Sequence, residues 1–106
     1  MASRAGSIRM GILPVRIKSA EPIMFGILKV VWLDGYEGIV DLRPVIAEGE
    51  LFAFLRNSPT RFRDAKLAEF GHSIYWLDDD GEEIDFAADS LRRRAERQAE
   101  ILRLAS

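Results

Sequence analysis

Apolar and polar residues alternate over positions 13–18, where the sequence reads LPVRIK. A period of two is typical of a strand with one buried face. Pro14 suits the start or the edge of such a strand, because proline lacks the N–H that a ladder needs. The pattern predicts a first strand that begins near Leu13 and ends before the chain-breaking Pro22.

Two β-prone runs, residues 25–33 and 36–42, flank Asp34-Gly35, a dipeptide that favours a tight two-residue hairpin turn. The register that follows from this turn pairs Leu33 with Tyr36, Trp32 with Glu37, Val30 with Ile39 and Leu28 with Asp41. Both faces of the hairpin are then substantially apolar, whereas the solvent-exposed face of an antiparallel sheet normally carries polar residues. We therefore expect both faces to be covered, either within the fold or by another chain.

Proline and glycine divide the middle of the chain into short elements. Pro44 suits a first helical turn and Gly49 a stop, which predicts a helix over residues 44–48. A second helix is expected from the apolar spacing of Leu51, Phe52 and Leu55. Residues 60–70 fit neither the helical nor the strand period well. Residues 65–70 are assigned to a strand, which turns at Gly71-His72 into the β-prone run 73–77.

The last segment is the clearest helix in the sequence. Residues 87–105 contain no glycine or proline, and their apolar positions recur at helical spacing: Leu91, Ala95, Ala99 and Leu102. The elements together predict an α+β fold, a small antiparallel sheet built from an N-terminal strand and two hairpins, with short helices between them and a C-terminal α-helix. Residues 13–106 are expected to form one domain after a mobile tail, residues 1–12.

Composition narrows the functional classes. The chain has 106 residues, 48% of them hydrophobic, which suffices for one core without metals or disulfides. It contains no cysteine, so thiol nucleophiles and thiolate metal sites are excluded and a reducing, cytoplasmic location is expected. A signal peptide or membrane span is not indicated. A net charge of −2 argues against general nucleic-acid binding.

Six acidic residues surround Gly81 between residues 78 and 85. Calcium loops of the EF-hand kind need oxygen ligands at their first and twelfth positions. Aligning Gly81 with the loop glycine places Trp76 and Ala87 there, so two essential ligands are missing. The stretch is therefore interpreted as a solvated turn. A metal-assisted hydrolase that uses Asp78, Asp80 and Glu83 is kept as an alternative function.

Two further motifs give only weak evidence of a function. His72-Ser73 suggests a hydrolase, but the nucleophile elbow G-x-S-x-G would need a glycine where Tyr75 stands. The C-terminal arginines Arg92, Arg93, Arg94 and Arg97 follow the acidic stretch and are interpreted mainly as a solvated helix face. Weak nucleic-acid binding through them is the second alternative.

Several stretches together resemble a known family. They are V-x-x-L-D-G at 30–35, I-V-D-L-R-P at 39–44, the apolar positions Leu51, Phe52, Leu55 and Phe62, and I-Y-W-L-D-D-D-G-E-E-I-D-F-A-A-D-S-L at 74–91. From about Val15 to Leu91 the chain resembles the small bacterial family catalogued as domain of unknown function 2442, which shares the fold of the N-terminal domain of a nitrifying-bacterium hypothetical protein.

This resemblance implies an α+β accessory protein without an established activity or catalytic residue. Genes of this kind are suspected to act beside small toxin-like partners, sometimes with an appended DNA-binding helix-turn-helix. The present chain departs from that pattern, since a single helix follows Leu91.

The leading functional expectation is a non-enzymatic, cytoplasmic interaction domain that binds itself as a homo-oligomer or binds another small protein. An antitoxin-like role is its narrower form. No residue is assigned to catalysis, cofactor binding or metal binding, and no cofactor is expected.

Overall fold

The computed structural model describes residues 15–105. Its elements are β1 (Ile17–Met24), β2 (Ile27–Trp32), β3 (Glu37–Asp41), α1 (Arg43–Ile46), α2 (Ala53–Asn57), a 3₁₀ helix (Pro59–Asp64), β4 (Lys66–Leu67), a 3₁₀ turn (Glu69–Gly71), β5 (Ser73–Leu77), β6 (Glu83–Ala87) and α3 (Ala88–Ala105). The α+β class is confirmed. None of the helices described in residues 15–105 is long and apolar enough to cross a membrane. The predicted tail, residues 1–12, lies outside the described residues.

The strands divide between two antiparallel sheets of three strands each, with the orders β1-β2-β3 and β4-β5-β6. The predicted hairpin joins β2 to β3, but its register is one residue away from the expected one, with Val30 opposite Gly38 and Lys29 opposite Ile39. The predicted pairing of Val30 with Ile39 is therefore wrong.

The reason lies in the loop of this hairpin. The Trp32 N–H donates to the Tyr36 carbonyl at 2.9 Å, so Leu33, Asp34 and Gly35 form a three-residue loop rather than a two-residue turn. Gly35 has φ +94°, the left-handed conformation that closes such loops.

The corrected register separates the two faces of the first sheet. Leu28, Val30, Trp32 and Val40 are buried together on one face. The opposite face is mixed, with Lys29 and Glu37 beside Ile39, which is 48% exposed. The two faces that were expected to be substantially apolar therefore differ, one buried and apolar and the other mixed, because a one-residue shift exchanges the faces of a strand.

β1 also differs from its predicted bounds. Its described part starts at Ile17, and Leu13 lies outside the described residues. Pro22 does not end the strand but lies within it, at a register irregularity between Pro22 and Met24. An edge strand tolerates this proline because the missing N–H has no ladder partner on the open side.

The middle elements are shorter than predicted. The first helix ends at Ile46, and the strand expected over residues 65–70 is reduced to Lys66–Leu67. The chain then turns at Glu69–Gly71, where Phe70 has φ +61°, a left-handed conformation. Gly71 follows with φ +70°, and a Cβ atom on it would lie 2.2 Å from the carbonyl oxygen of Ile17, so β1 and the Glu69–Gly71 turn meet backbone to backbone.

One core joins both sheets to the helices. Its largest fully buried side chains are Trp32, Trp76 and Phe62. Phe62 stacks on Trp76 with ring centroids 5.2 Å apart, and its carbonyl oxygen accepts a hydrogen bond from Trp76 Nε1 at 3.0 Å. α3 starts one residue later than predicted, at Ala88, and buries Leu91 and Ala95 in this core.

A candidate protein-interaction groove

The outer edge of β3 has no partner strand in the part of the chain that the structure describes. Gln98 of α3 shows which backbone groups face this edge: its Oε1 accepts from the Asp41 N–H at 3.1 Å, and its Nε2 donates to the Asp41 carbonyl at 3.2 Å. In an antiparallel strand every second residue presents its N–H and C=O to the same side. Ile39 and Glu37 therefore present theirs to the same open edge as Asp41.

α3 extends past the sheet on which it packs. Along the predicted apolar stripe Leu91 and Ala95 are 0% and 1% exposed, but Leu102 is 70% exposed. Ile101 and Leu104, which widen the stripe, are 58% and 75% exposed. The final turns of the helix thus present large aliphatic side chains that the rest of residues 15–105 does not cover.

A groove of about 530 Å³ lies between the edge of β3 and the exposed part of α3. Its lining is mainly apolar and includes Ile27, Ile39, Ala99, Ile101 and Leu102. Gly38 makes this arrangement possible, because a Cβ atom there would lie 2.9 Å from Cβ of Ala95 and would push the helix away. An open strand edge beside an apolar helix is an arrangement that can accept an extended peptide.

The acidic residues of β3 lie on either side of Ile39. Glu37 makes a long contact of 3.8 Å with Lys29, and both side chains are exposed. Asp41 accepts two hydrogen bonds from the Arg43 guanidinium, at 2.9 and 2.8 Å. These bonds lower the pKa of Asp41 below its ordinary value, which keeps a negative charge at one end of the groove.

Arg92 holds the hairpin loop against α3. Its guanidinium lies 4.2 Å from the ring centre of Tyr36 and 5.4 Å from that of Trp32. It also forms ion pairs with Asp34 at 3.0 Å and with Glu96 at 2.9 Å. Arg92 therefore fixes the loop end of β3 relative to the helix through both aromatic and ionic contacts.

The hydrogen bond from Arg92 also lowers the pKa of Asp34. Because the folded-state pKa lies below the unfolded value, the stabilisation by Asp34 is complete above the unfolded pKa of roughly 3.9 and is lost as the pH falls through the folded pKa. We expect the free energy of unfolding to decrease on acidification below about pH 4, with a smaller decrease in Asp34→Asn. Denaturant titrations at a series of acidic pH values measure this, and equal slopes for both proteins would contradict the role of Asp34.

The acidic stretch forms the turn between β5 and β6. Asp78 Oδ1 accepts the N–H groups of Asp80 and Glu82, both at 2.9 Å, and Asp79 pairs with Arg61. Asp80 is exposed, and Glu83 is the first residue of β6. Within residues 15–105 no cluster of three or more histidine and acidic side chains is arranged to hold a metal ion. Asp78 and Asp79 are thus engaged in holding this turn, and the hydrolase alternative stays an untested prediction.

His72 and Ser73 lie at the start of β5, in different surroundings. His72 is exposed and its ring contacts Phe70 edge to face, with centroids 6.1 Å apart. Its carbonyl accepts the N–H of Ala88 at 2.8 Å, which ties β5 to the start of α3. Ser73 is 9% exposed at the start of β5.

No family model matches this chain, and comparisons with curated proteins and with solved structures find no match either.

Some residues of the groove are visible in the sequence and others are not. The helical spacing of Ala99 and Leu102 indicated an apolar stripe, and the groove contains both of them. Gln98 and Gly38 were not identified, because a lone glutamine on a helix and a glycine in a strand have no signature without the partner that each contacts.

Proposed function

We propose that this protein is a non-enzymatic interaction domain that binds an extended segment of another protein along the open edge of β3. The observation that carries the proposal is the contact of Gln98 with the Asp41 backbone, in which a side-chain amide takes the place that the backbone of a further strand would take. Main-chain hydrogen bonds to Ile39 would continue the sheet, while apolar side chains of the partner cover Ile101 and Leu102.

A second copy of the chain is a poor occupant of this edge. Antiparallel pairing of β3 with itself about Ile39 would place Glu37 opposite Asp41 of the other copy, twice in the same interface. Directly opposed like charges destabilise a strand pair. We therefore infer a different protein whose strand carries a neutral or basic residue opposite Glu37 and leaves the backbone of Asp41 to Gln98.

This proposal agrees with the accessory role that the resemblance to domain of unknown function 2442 implies. An antitoxin-like role is its narrower form, in which the partner is a small toxin-like protein. A cytoplasmic location remains a prediction.

The experiment uses peptides selected from a random library for binding to the whole folded protein. Ile39→Pro removes the N–H that faces the open edge and leaves the ladder to β2 intact, so the protein should still fold. We expect at least about tenfold weaker binding of the selected peptides, from the lost hydrogen bond and the blocked approach. Ile39→Thr keeps the N–H and serves as the matched control. Calorimetric titration measures both.

Two further readouts decide between the possible occupants. Bound peptide should slow hydrogen exchange of the Ile39 amide, and light scattering across a concentration series should show a monomer. Selected peptides that bind Ile39→Pro as well as Ile39→Thr would place the interaction elsewhere. A stable dimer that Ile39→Pro dissociates would assign the edge to a second copy instead.

A further inference from the structure

Two arginines of α3 have no acidic partner among the described residues. Ion pairs within the helix join Asp89 to Arg93, Glu96 to Arg92 and Glu100 to Arg103. Within the described residues 15–105, Arg94 and Arg97 form no ion pair or side-chain hydrogen bond, although Arg94 is partly buried.

These two arginines share a cleft of about 390 Å³ on one flank of α3. Ser90, Arg93 and Gln98 complete its lining. Gln98 also lines the groove at the edge of β3, so the cleft and the groove meet at this residue. A segment bound along β3 therefore borders a residue that also lines the cleft of the two unpaired guanidinium groups.

We propose that Arg94 and Arg97 bind a carboxylate of the same partner segment, which then carries an acidic side chain next to the residues that pair with β3. This inference rests on the proposed function and names the chemistry of the partner. A guanidinium presents two parallel N–H donors that match the two oxygens of a carboxylate. Positions three residues apart on a helix lie side by side, so both arginines reach one carboxylate.

An acidic protein segment fits this cleft better than a nucleic-acid backbone does. Nucleic-acid binding depends on several phosphate contacts in a row, whereas only two unpaired arginines are found here. A single carboxylate needs no more than these two guanidinium groups.

The test uses the whole protein and an oligoglutamate peptide as the probe, followed by amide chemical shifts at low salt. We expect shifts centred on residues 90–98 and roughly five- to tenfold weaker binding in the double variant Arg94→Gln/Arg97→Gln, since each exposed ion pair changes an affinity only a few-fold. Lys18→Gln/Arg63→Gln removes the same charge from exposed positions outside the cleft and should leave the affinity almost unchanged.

Three outcomes would overturn the inference: no shifts at low salt, equal weakening in both double variants, or tighter binding of an oligothymidylate than of oligoglutamate at the same residues. The last result would assign the cleft to nucleic acid. Ile39→Pro should retain oligoglutamate binding, because the probe needs only the arginines. Failure of this test therefore leaves the strand-edge proposal standing, and failure of the peptide selection leaves the arginine cleft testable.

Discussion

Gly71→Ala is expected to lower the free energy of unfolding by about 3 kcal/mol. Gly71 has φ +70°, which disfavours any residue with a Cβ atom, and that atom would lie 2.2 Å from the carbonyl oxygen of Ile17. Both obstacles involve backbone that cannot move without separating β1 from the Glu69–Gly71 turn. Denaturant unfolding measures the loss.

Gly81→Ala is the matched control for this substitution. Gly81 has φ +81°, but no atom lies within 4 Å of the position that its Cβ would take. Gly81→Ala should therefore lower the free energy of unfolding only by the cost of placing alanine in a left-handed conformation, about 1 kcal/mol. Equal losses in the two variants would show that the contact with Ile17 contributes nothing.

Phe62→Ala is expected to lower the free energy of unfolding by about 4 kcal/mol, the usual effect of removing a buried aromatic ring. Phe62 is 1% exposed and packs between Trp76 and Phe25, with ring centroids 5.2 and 5.8 Å away. The substitution leaves a cavity beside the buried ring of Trp76 and removes the contacts that Phe62 makes there.

The same change at Phe70 provides the comparison. Phe70 is 70% exposed, so Phe70→Ala should alter stability by about 0.5 kcal/mol or less. Paired thermal and denaturant unfolding curves of the two variants measure the difference. If both variants lost the same stability, Phe62 would not be the centre of the core that its burial indicates.

The hairpin shows how far local sequence determines this fold. Asp34-Gly35 located the turn, but the number of loop residues depends on the bond between Trp32 and Tyr36 and on the left-handed Gly35. A dipeptide is compatible with both loop lengths, and the choice between them shifts every partner by one residue. The existence of the hairpin was therefore predictable and its register was not.

The helix could likewise be predicted from local sequence, whereas the groove could not. The apolar spacing within α3 is local, so the range of the helix was predicted to within one residue. The groove depends on contacts between distant segments, Gly38 with Ala95 and Asp41 with Gln98. No local pattern records which glycine or glutamine will find such a partner, and the free edge became visible only with the corrected register.

The junction between β6 and α3 has a consequence for binding. β6 ends at Ala87 and α3 begins at Ala88, so no linker residue separates them. The Ala88 carbonyl also accepts a hydrogen bond from Trp32 Nε1 at 3.2 Å, which ties this junction to the other sheet. The helix cannot swing without breaking these contacts, so the proposed groove is held in place before any partner arrives. For the proposed partner segment, the entropy of ordering would then fall on that segment alone, which favours a stiff, already extended partner over a flexible one.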